Sequence, residues 1–503
     1  MTLANAGHYL ALVFTPTNLF WITLASLIGA FLGALPGMSQ DTGIPMFLPL
    51  TFNMEPLTGL LVLCAIYTSA SYGGNITGVL LNTPGTPEAM YMAMDGYPMT
   101  VKGQGKKALY ITTCCAFIGG ITGALTLLFL APVIASFALK FGPLEMFLTA
   151  LLGITIIVGL SKGGMMKGGM SACLGLLCGL IGMDPFNTVP RFTFGLHELY
   201  DGLPLLPTVL GLFAVSQLLV MAAQNNECVV PDSVGTGKSE GLTRADAKEI
   251  SWVTIRSSII GTIVGIIPAA STAVAVGLSY GITKREDPHP EEYGNGSKRG
   301  LASCSAAHAA ITGGSLVPLL TLCIPGNATA ALFLAGLTIH GLAPGVKLFT
   351  TDASVVYPMM IGLVIAQFFI LIVGLLGGDF FCRITKVPTS ILIPIVGCFS
   401  VLGSFIFRYL NFDIFLVLLC GVIGYYMNET NLPPAPFVLA FVLGSRCENT
   451  WRRVVALAGA RGFWSLALKP IPIVLFCINM AFLIMPFWAE IKGIFRKQPN
   501  KDA

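Results

Sequence analysis

One arrangement occurs twice in this chain and limits its fold more than any other feature. An apolar stretch opens on two glycines one helical turn apart, meets a proline, resumes, and is interrupted twice more before it closes. The first copy reads Gly29-Ala-Phe-Leu-Gly33-Ala-Leu-Pro36-Gly37-Met-Ser39, breaks at Gly73-Gly74-Asn75 and at Asn82-Thr83-Pro84-Gly85-Thr86, and closes on Asp95-Gly96-Tyr97-Pro98. The second reads Gly261-Thr-Ile-Val-Gly265-Ile-Ile-Pro268-Ala269-Ala270-Ser271, breaks at Gly313-Gly314-Ser315 and at Ile324-Pro325-Gly326-Asn327, and closes on His340-Gly341-Leu342-Ala343-Pro344. Proline lacks the backbone donor and glycine tolerates positive φ, so such sites interrupt helices. Paired interruptions at matching places in two halves of a membrane chain point to a transporter's binding site.

Composition says what surrounds these segments. Apolar residues make up 54% of the 503 positions and charged ones 10%, against roughly 25% charged in soluble domains. With a mean hydropathy of +0.80, the chain cannot cover itself with polar surface, so lipid is its solvent for most of its length. A formal net charge of +4 is small for this length and gives no basis for binding nucleic acid. Charges gather in 227–256 and 284–299, whereas 300–346 carries no Lys, Arg, Asp or Glu. The first read as aqueous loops and the second as bilayer.

In chain order, Asn18–Leu35 is the first spanning candidate. No Lys or Arg precedes it, as expected of an uncleaved first helix. Met38–Phe52 is shorter than the roughly 20 residues of a span and reads as re-entrant. Leu57–Leu81 is long enough, and residues 88–107 read as a loop. Ala108–Leu139, Leu144–Leu160, Gly168–Ile181 and Leu203–Ala223 follow, with Met183–Tyr200 as a loop. Past the hydrophilic linker come Ile250–Ile282, a charged loop Lys284–Arg299, the broken stretch Leu301–Leu342, Val355–Leu376, Ile391–Phe407, Phe412–Met427, a short Phe437–Leu443 and Ile471–Phe487. The expectation is an all-α, polytopic integral membrane protein with about 10–14 membrane segments, re-entrant or broken helices included. Its plan is two repeats of inverted topology, residues 1–224 and 250–490, joined by the linker 225–249 and followed by a basic tail 491–503.

Other chemistries find little support. The 13 cysteines contain no CxxC, and only 5 His are present. No zinc or iron–sulfur site is expected, and the cysteines read as small buried hydrophobes. Asp232-Ser-Val-Gly-Thr-Gly237-Lys238-Ser239 imitates a phosphate-binding loop, but its first glycine is replaced by aspartate and no strand precedes it. A membrane-embedded enzyme would need acid, base or metal ligands clustered at one depth, and no HExxH or aspartate-rich motif is present. A passive anion channel fits the hydropathy but does not require matched breaks. Neither enzyme activity nor a cofactor is expected.

These residues carry a resemblance. The Gly29–Ser39 run, Tyr72-Gly73-Gly74, Asn82 to Pro87, Asp95-Gly96-Tyr97-Pro98, Gly265-Ile-Ile-Pro268, Gly313-Gly314, Ile324-Pro325-Gly326, His340-Gly341, Cys447-Glu448-Asn449-Thr450-Trp451-Arg452-Arg453 and Lys469-Pro470-Ile471 together resemble the large membrane subunit of the tripartite tricarboxylate transporters. The resemblance covers essentially the whole chain. It implies a secondary transporter of organic carboxylates in the bacterial inner membrane, driven by an ion gradient and not by ATP. It also implies two partners, a small four-helix membrane subunit and a periplasmic substrate-binding protein. The chain departs from the family pattern at Ala269-Ala270, where glycine usually follows the proline. It departs again at Ser305 and His308-Ala309, where a glutamate and an Asn-Asn pair are usual; this second departure bears on the substrate and the coupling ion.

A carboxylate needs donors, and the second copy holds no fixed cation between Gly300 and Val346. Helix N-termini supply donors, since each carries about half a positive charge and several unpaired N–H groups. The expected substrate contacts are Asn82, Thr83, Pro84, Gly85 and Thr86 in one half and Pro325, Gly326, Asn327 and Thr329 in the other, with Ser39, Ser271 and His308 beside them. Breaks at Gly73, Gly74, Asn75 and at Gly313, Gly314, Ser315 would bare carbonyl oxygens suited to a hard cation. Sodium is therefore the expected coupling ion. The alternative is the proton, carried near Glu88, Asp95 or His308.

Overall fold

The computed structural model describes residues 3–35, 38–82, 86–138, 141–159, 164–184, 187, 189–224, 241–267, 272–377 and 389–496. Proline suits a helix start, because its φ is preset and its missing N–H would be unpaired there anyway. Pro16, Pro56, Pro87, Pro143, Pro434 and Pro470 each open a helix.

Before residue 225 the elements are α1 (Leu3–Val13), α2 (Pro16–Gly33), α3 (Gln40–Phe52), α4 (Pro56–Leu81), α5 (Pro87–Met99), α6 (Gly105–Ala138), α7 (Pro143–Gly159) and α8 (Met165–Gly179). A loop holding the two-residue antiparallel strands β1 (Gly182–Met183) and β2 (Pro190–Arg191) leads to α9 (Leu205–Val209) and α10 (Ser216–Gln224). After residue 240 come α11 (Arg244–Ile266), α12 (Thr272–Glu286), α13 (Lys298–Leu322), α14 (Ala328–Ile339), α15 (Ala353–Leu376), α16 (Thr389–Arg408), α17 (Asn411–Glu429), α18 (Pro434–Arg461), α19 (Phe463–Ala467) and α20 (Pro470–Arg496). Among the described residues, 8 helical stretches are long and apolar enough to cross a membrane, and four shorter apolar helices accompany them. The chain is an all-α polytopic membrane protein with interrupted helices, as expected.

The centre belongs to α4 and α13. Every residue of α4 from Thr58 to Leu81 is buried. So is every residue of α13 from Gly300 to Thr321 except Ala309. Each packs against the helix that opens its copy through glycines. A Cβ on Gly33 would lie 2.2 Å from Ala70 O and 2.9 Å from Gly73 Cα; one on Gly73 would lie 2.5 Å from Ala30 O. In the second copy a Cβ on Gly265 would lie 3.1 Å from Gly314 Cα, and one on Gly314 2.8 Å from Thr262 O. α2 with α4, and α11 with α13, thus touch backbone to backbone, which only small residues permit.

Several expectations are corrected. Gly73-Gly74-Asn75 and Gly313-Gly314-Ser315 do not break their helices; they lie inside continuous α4 and α13. Tertiary contact at Gly73, Gly313 and Gly314 outweighs their poor helix propensity, about 1 kcal/mol each. Residues 88–107 are not a loop but α5, a π-helical turn Thr100–Gln104 and the start of α6. Lys102, Lys106 and Lys107 in a glycine-rich run suggested water, yet the segment is helical, with Glu88 and Asp95 buried against protein partners. The linker ends earlier than 249, since a capping box of Thr243 and Asp246 starts α11 at Arg244. Phe437–Leu443 is no short piece but part of α18, which carries the basic stretch as helix. Likewise α20 continues into the basic tail as far as Arg496.

Candidate functional site

The site is built where α4 and α13 cross. Tyr67, Ser71 and Asn75 lie at four-residue spacing on α4, and His308, Thr312 and Ser315 at near-helical spacing on α13. Such spacing puts each set on one helix face. The faces meet: Tyr67 OH is 3.0 Å from Ser315 Oγ, and His308 Nε2 is 3.2 Å from Ser71 Oγ. The earlier residue of α4 pairs with the later one of α13, so the two helices run antiparallel.

Four half-helices then aim their N-termini at this polar seam. α3 starts at Ser39, whose hydroxyl accepts from Asp41 N in a capping box completed by Thr42. α5 starts at Thr86, which is buried and makes no side-chain cap bond. α14 starts at Asn327, whose Oδ1 accepts from Ala330 N at 2.7 Å. α12 begins at Thr272. Side chains tie the four ends together. Gln40 Nε2 donates to Glu88 Oε1 at 3.3 Å, joining α3 to α5. Thr329 Oγ1 donates to Asp41 Oδ1 at 2.5 Å, joining α14 to α3 across the two copies. Asn327 Nδ2 reaches Thr272 Oγ1 at 3.4 Å and Tyr67 OH at 3.1 Å. His308 Nε2 is 3.8 Å from Glu88 Oε1.

Beside this seam a cavity of about 10 Å³ is lined by Thr68, Ser71, Tyr72, Asn75, His308 and Gln367, among others. That is space for about one water. His308 Nδ1 and Asn75 Oδ1 are buried without a hydrogen-bond partner. Chemically, the seam offers amides, hydroxyls, helix N-termini, two carboxylates and one imidazole. No Lys or Arg among the described residues takes part in its hydrogen bonds or lines its cavity.

The expected site residues fall into groups. Ser39, Thr86, His308, Ser315, Asn327 and Thr329 come together in the seam, and Asn75 lines its cavity. Pro325 and Gly326 are buried in the α13–α14 turn, where Gly326 N donates to Ser315 O at 3.3 Å and a Cβ on Gly326 would lie 2.6 Å from Ser315 Cα. Asn82 caps the C-terminus of α4 with φ of 53° and is exposed. Thr83, Pro84, Gly85 and Ser271 lie outside the described residues. Gly73, Gly313 and Gly314 serve close packing; a Cβ on Gly313 would meet the Gly123 backbone of α6 at 2.2 Å. Helix geometry engages the carbonyls of Gly73, Gly74 and Gly313, whereas that of Gly314 lacks its partner because Pro318 has no N–H. Gln40, Asp41, Tyr67, Ser71 and Thr272 were not foreseen, and Glu88 was named only as a carrier for the alternative coupling proton. The four-residue spacing of Tyr67, Ser71 and Asn75 is the signal that finds the α4 part of this set.

The fold defines a multi-pass membrane protein with interrupted helices around a buried polar centre. The sequence profile described as the tripartite tricarboxylate transporter TctA family matches residues 19–439, and the chain belongs to that family, as its large membrane subunit. It is 30% identical over 479 residues, covering 95% of both chains, to an Agrobacterium vitis protein described as an uncharacterised 52.8 kDa protein in the TAR-I ttuC' 3' region. It is 27% identical over 198 residues, 39% of this chain and 82% of the relative, to another uncharacterised protein of that organism, in the TAR-II ttuC' 3' region. No solved structure matches the chain at a significant level.

Proposed function

We propose that the chain is the permease subunit of a binding-protein-dependent secondary transporter that imports tricarboxylates or dicarboxylates across the bacterial inner membrane by cation symport. A small four-helix membrane subunit and a periplasmic binding protein complete the system. The observation that carries this reading is the convergence of four half-helix N-termini on one buried seam. Each adds partial positive charge and N–H donors, and Thr86 leaves the start of α5 without a side-chain cap. A substrate carboxylate fits there, with Asn327, Thr329 and Ser39 as side-chain contacts. Thr83, Pro84, Gly85 and Ser271 belong to the same reading through their place in sequence.

Inverted topology is supported by the antiparallel run of α4 and α13, which hold corresponding places in the two copies. It is supported too by the matching contacts of Gly33 with Gly73 and of Gly265 with Gly314. Such a plan gives alternating access around a fixed central site. A passive channel has no need of it, and an enzyme would need a reactive cluster that this reading does not use.

Import of a polyanion against an inside-negative potential costs about 2.3 kcal/mol per charge per 100 mV, and co-transported cations offset that cost. The sequence points to sodium. The Glu88 and His308 pair favours the proton as a second reading, because a carboxylate and an imidazole at one buried spot take up protons. Uptake of labelled citrate and succinate by proteoliposomes holding both membrane subunits, with binding protein outside, tests the proposal. Concentrative uptake that needs an inward cation gradient supports it. Downhill flux indifferent to every cation gradient would transfer the protein to the channel class. Replacing sodium by choline, and separately adding a protonophore, identifies the ion.

A further inference from the structure

We propose that Glu88 and His308 together carry the coupling proton, and that proton uptake by this pair is what lets a carboxylate enter the seam. The inference deepens the transport reading above and rests on it. The two groups come from different copies, Glu88 from the first turn of α5 and His308 from the middle of α13. Their polar atoms are 3.8 Å apart, both side chains are buried, and Gln40 donates to the same Glu88 oxygen. The other imidazole nitrogen, Nδ1, has no partner and belongs to a residue lining the cavity that Asn75 also lines. Asn75 Oδ1 is likewise unpartnered. A neutral imidazole holds one N–H and an imidazolium two. The protonated ring can give one N–H to Glu88 or Ser71, and the other to Asn75 through a single water, which the cavity has room for. The neutral ring can meet Ser71 and a water with its one N–H and one lone pair, whereas the charged ring donates on both sides and adds an ion pair with Glu88.

The charged and titratable surroundings are few. From α5, Glu88 faces His308. From α4, Tyr72 lines the same cavity, its hydroxyl paired with Thr113 at 2.7 Å. From α3, Gln40 is neutral, while Asp41 reaches Thr329. Ala116 of α6 and Gln367 and Ile370 of α15 complete the nearby wall without charge. On α13 itself Cys304 is one turn away. Asp95 is held elsewhere, its Oδ1 accepting the backbone N–H groups of Gly294, Gly296 and Ser297. α11, α12 and α14 add no residue to the cavity wall.

With Asp41 and Glu88 ionised, the seam is negative and repels a carboxylate substrate. One added proton removes one of those two net charges. Substrate and proton therefore favour each other, and by linkage each raises the other's affinity equally. The step is a proton transfer alone: hydronium gives its proton to the imidazole and leaves as water, and the imidazolium later gives it to water at the opposite face. When the two copies move apart, the pair separates, and the proton loses the carboxylate that stabilised it.

The test uses the purified two-subunit membrane complex and citrate, with succinate as a second probe. Calorimetric titration in buffers of different ionisation enthalpy counts protons taken up per anion bound. The wild type should take up about one, with binding ~10-fold or more tighter near pH 6 than near pH 8. His308→Asn and Glu88→Gln should each abolish that uptake and flatten the pH dependence. Unchanged proton uptake in both variants would overturn the inference yet leave the transport reading standing. Failure of the wild type to bind either anion would remove the transport reading and this inference with it. Should His308→Asn not fold, pH-jump infrared spectra of substrate-free wild type read the pair directly. Imidazole bands that titrate together with a carboxylate band, and lose that link in Glu88→Gln, support it. A ring that does not titrate between about pH 5 and about pH 8 contradicts it.

Discussion

Asn327 does two jobs that separate substitutions can tell apart. It caps α14 through Oδ1 and reaches Tyr67 and Thr272 through Nδ2. Asn327→Ala removes both, at a stability cost of about 1 kcal/mol for the cap and with loss of uptake. Asn327→Asp keeps a good cap but adds a third carboxylate to the seam. Its melting temperature should stay near wild type while citrate uptake falls ~10-fold or more, following the 1–3 kcal/mol typical of such coupling. Normal uptake by Asn327→Asp would separate Asn327 from the substrate. Gly33 and Gly265 make a second residue-scale case. Each faces a partner helix backbone at under 3.5 Å from an added Cβ, so Leu at either position should cost about 1–3 kcal/mol or prevent assembly, read as loss of monodisperse protein in detergent. Leu at Gly281, whose Cβ would meet nothing within 4 Å, should be tolerated.

At the scale of elements, proline and glycine carried different amounts of information. Pro325 and Gly326 turn the chain sharply, and a half-helix restarts at Ala328. This break was legible because proline both blocks the helix and removes a donor. The glycine-only sites at Gly73 and Gly313 were not legible as helix. In an isolated segment they weaken it, and only the neighbouring helix backbone, absent from the sequence string, stabilises them. Residues 88–107 misled for a related reason. Asp95 looks solvated in sequence, but in the fold it is buried and its Oδ1 accepts three backbone N–H groups of the α12–α13 loop at 2.8–3.2 Å. Asp95→Ala should therefore leave three donors unpaired and cost about 3 kcal/mol or more. Limited proteolysis should then cut within 287–297 faster than in the wild type. Equal resistance in both proteins would show that Asp95 does not hold this loop.

Over the whole molecule, two copies of one pattern place their long helices antiparallel and their half-helix starts at a common centre. The membrane class, the number of spans and half of the seam residues were readable from hydropathy and breaks. Asp41 was not placed there, and Glu88 only as an alternative proton carrier, because only packing brings α3 and α5 beside α13. The presence of these acids changes the electrostatic problem from attracting an anion to making room for one, and this is the ground on which cation symport is proposed. A cryo-EM map of the membrane complex with citrate tests that centre most directly. The account predicts ligand density within hydrogen-bond reach of Asn327, Thr329 and the first N–H groups of α5. Density lodged instead in the aqueous-face cavity of about 380 Å³ beside Arg191 and Glu448, with the seam unchanged, would contradict it.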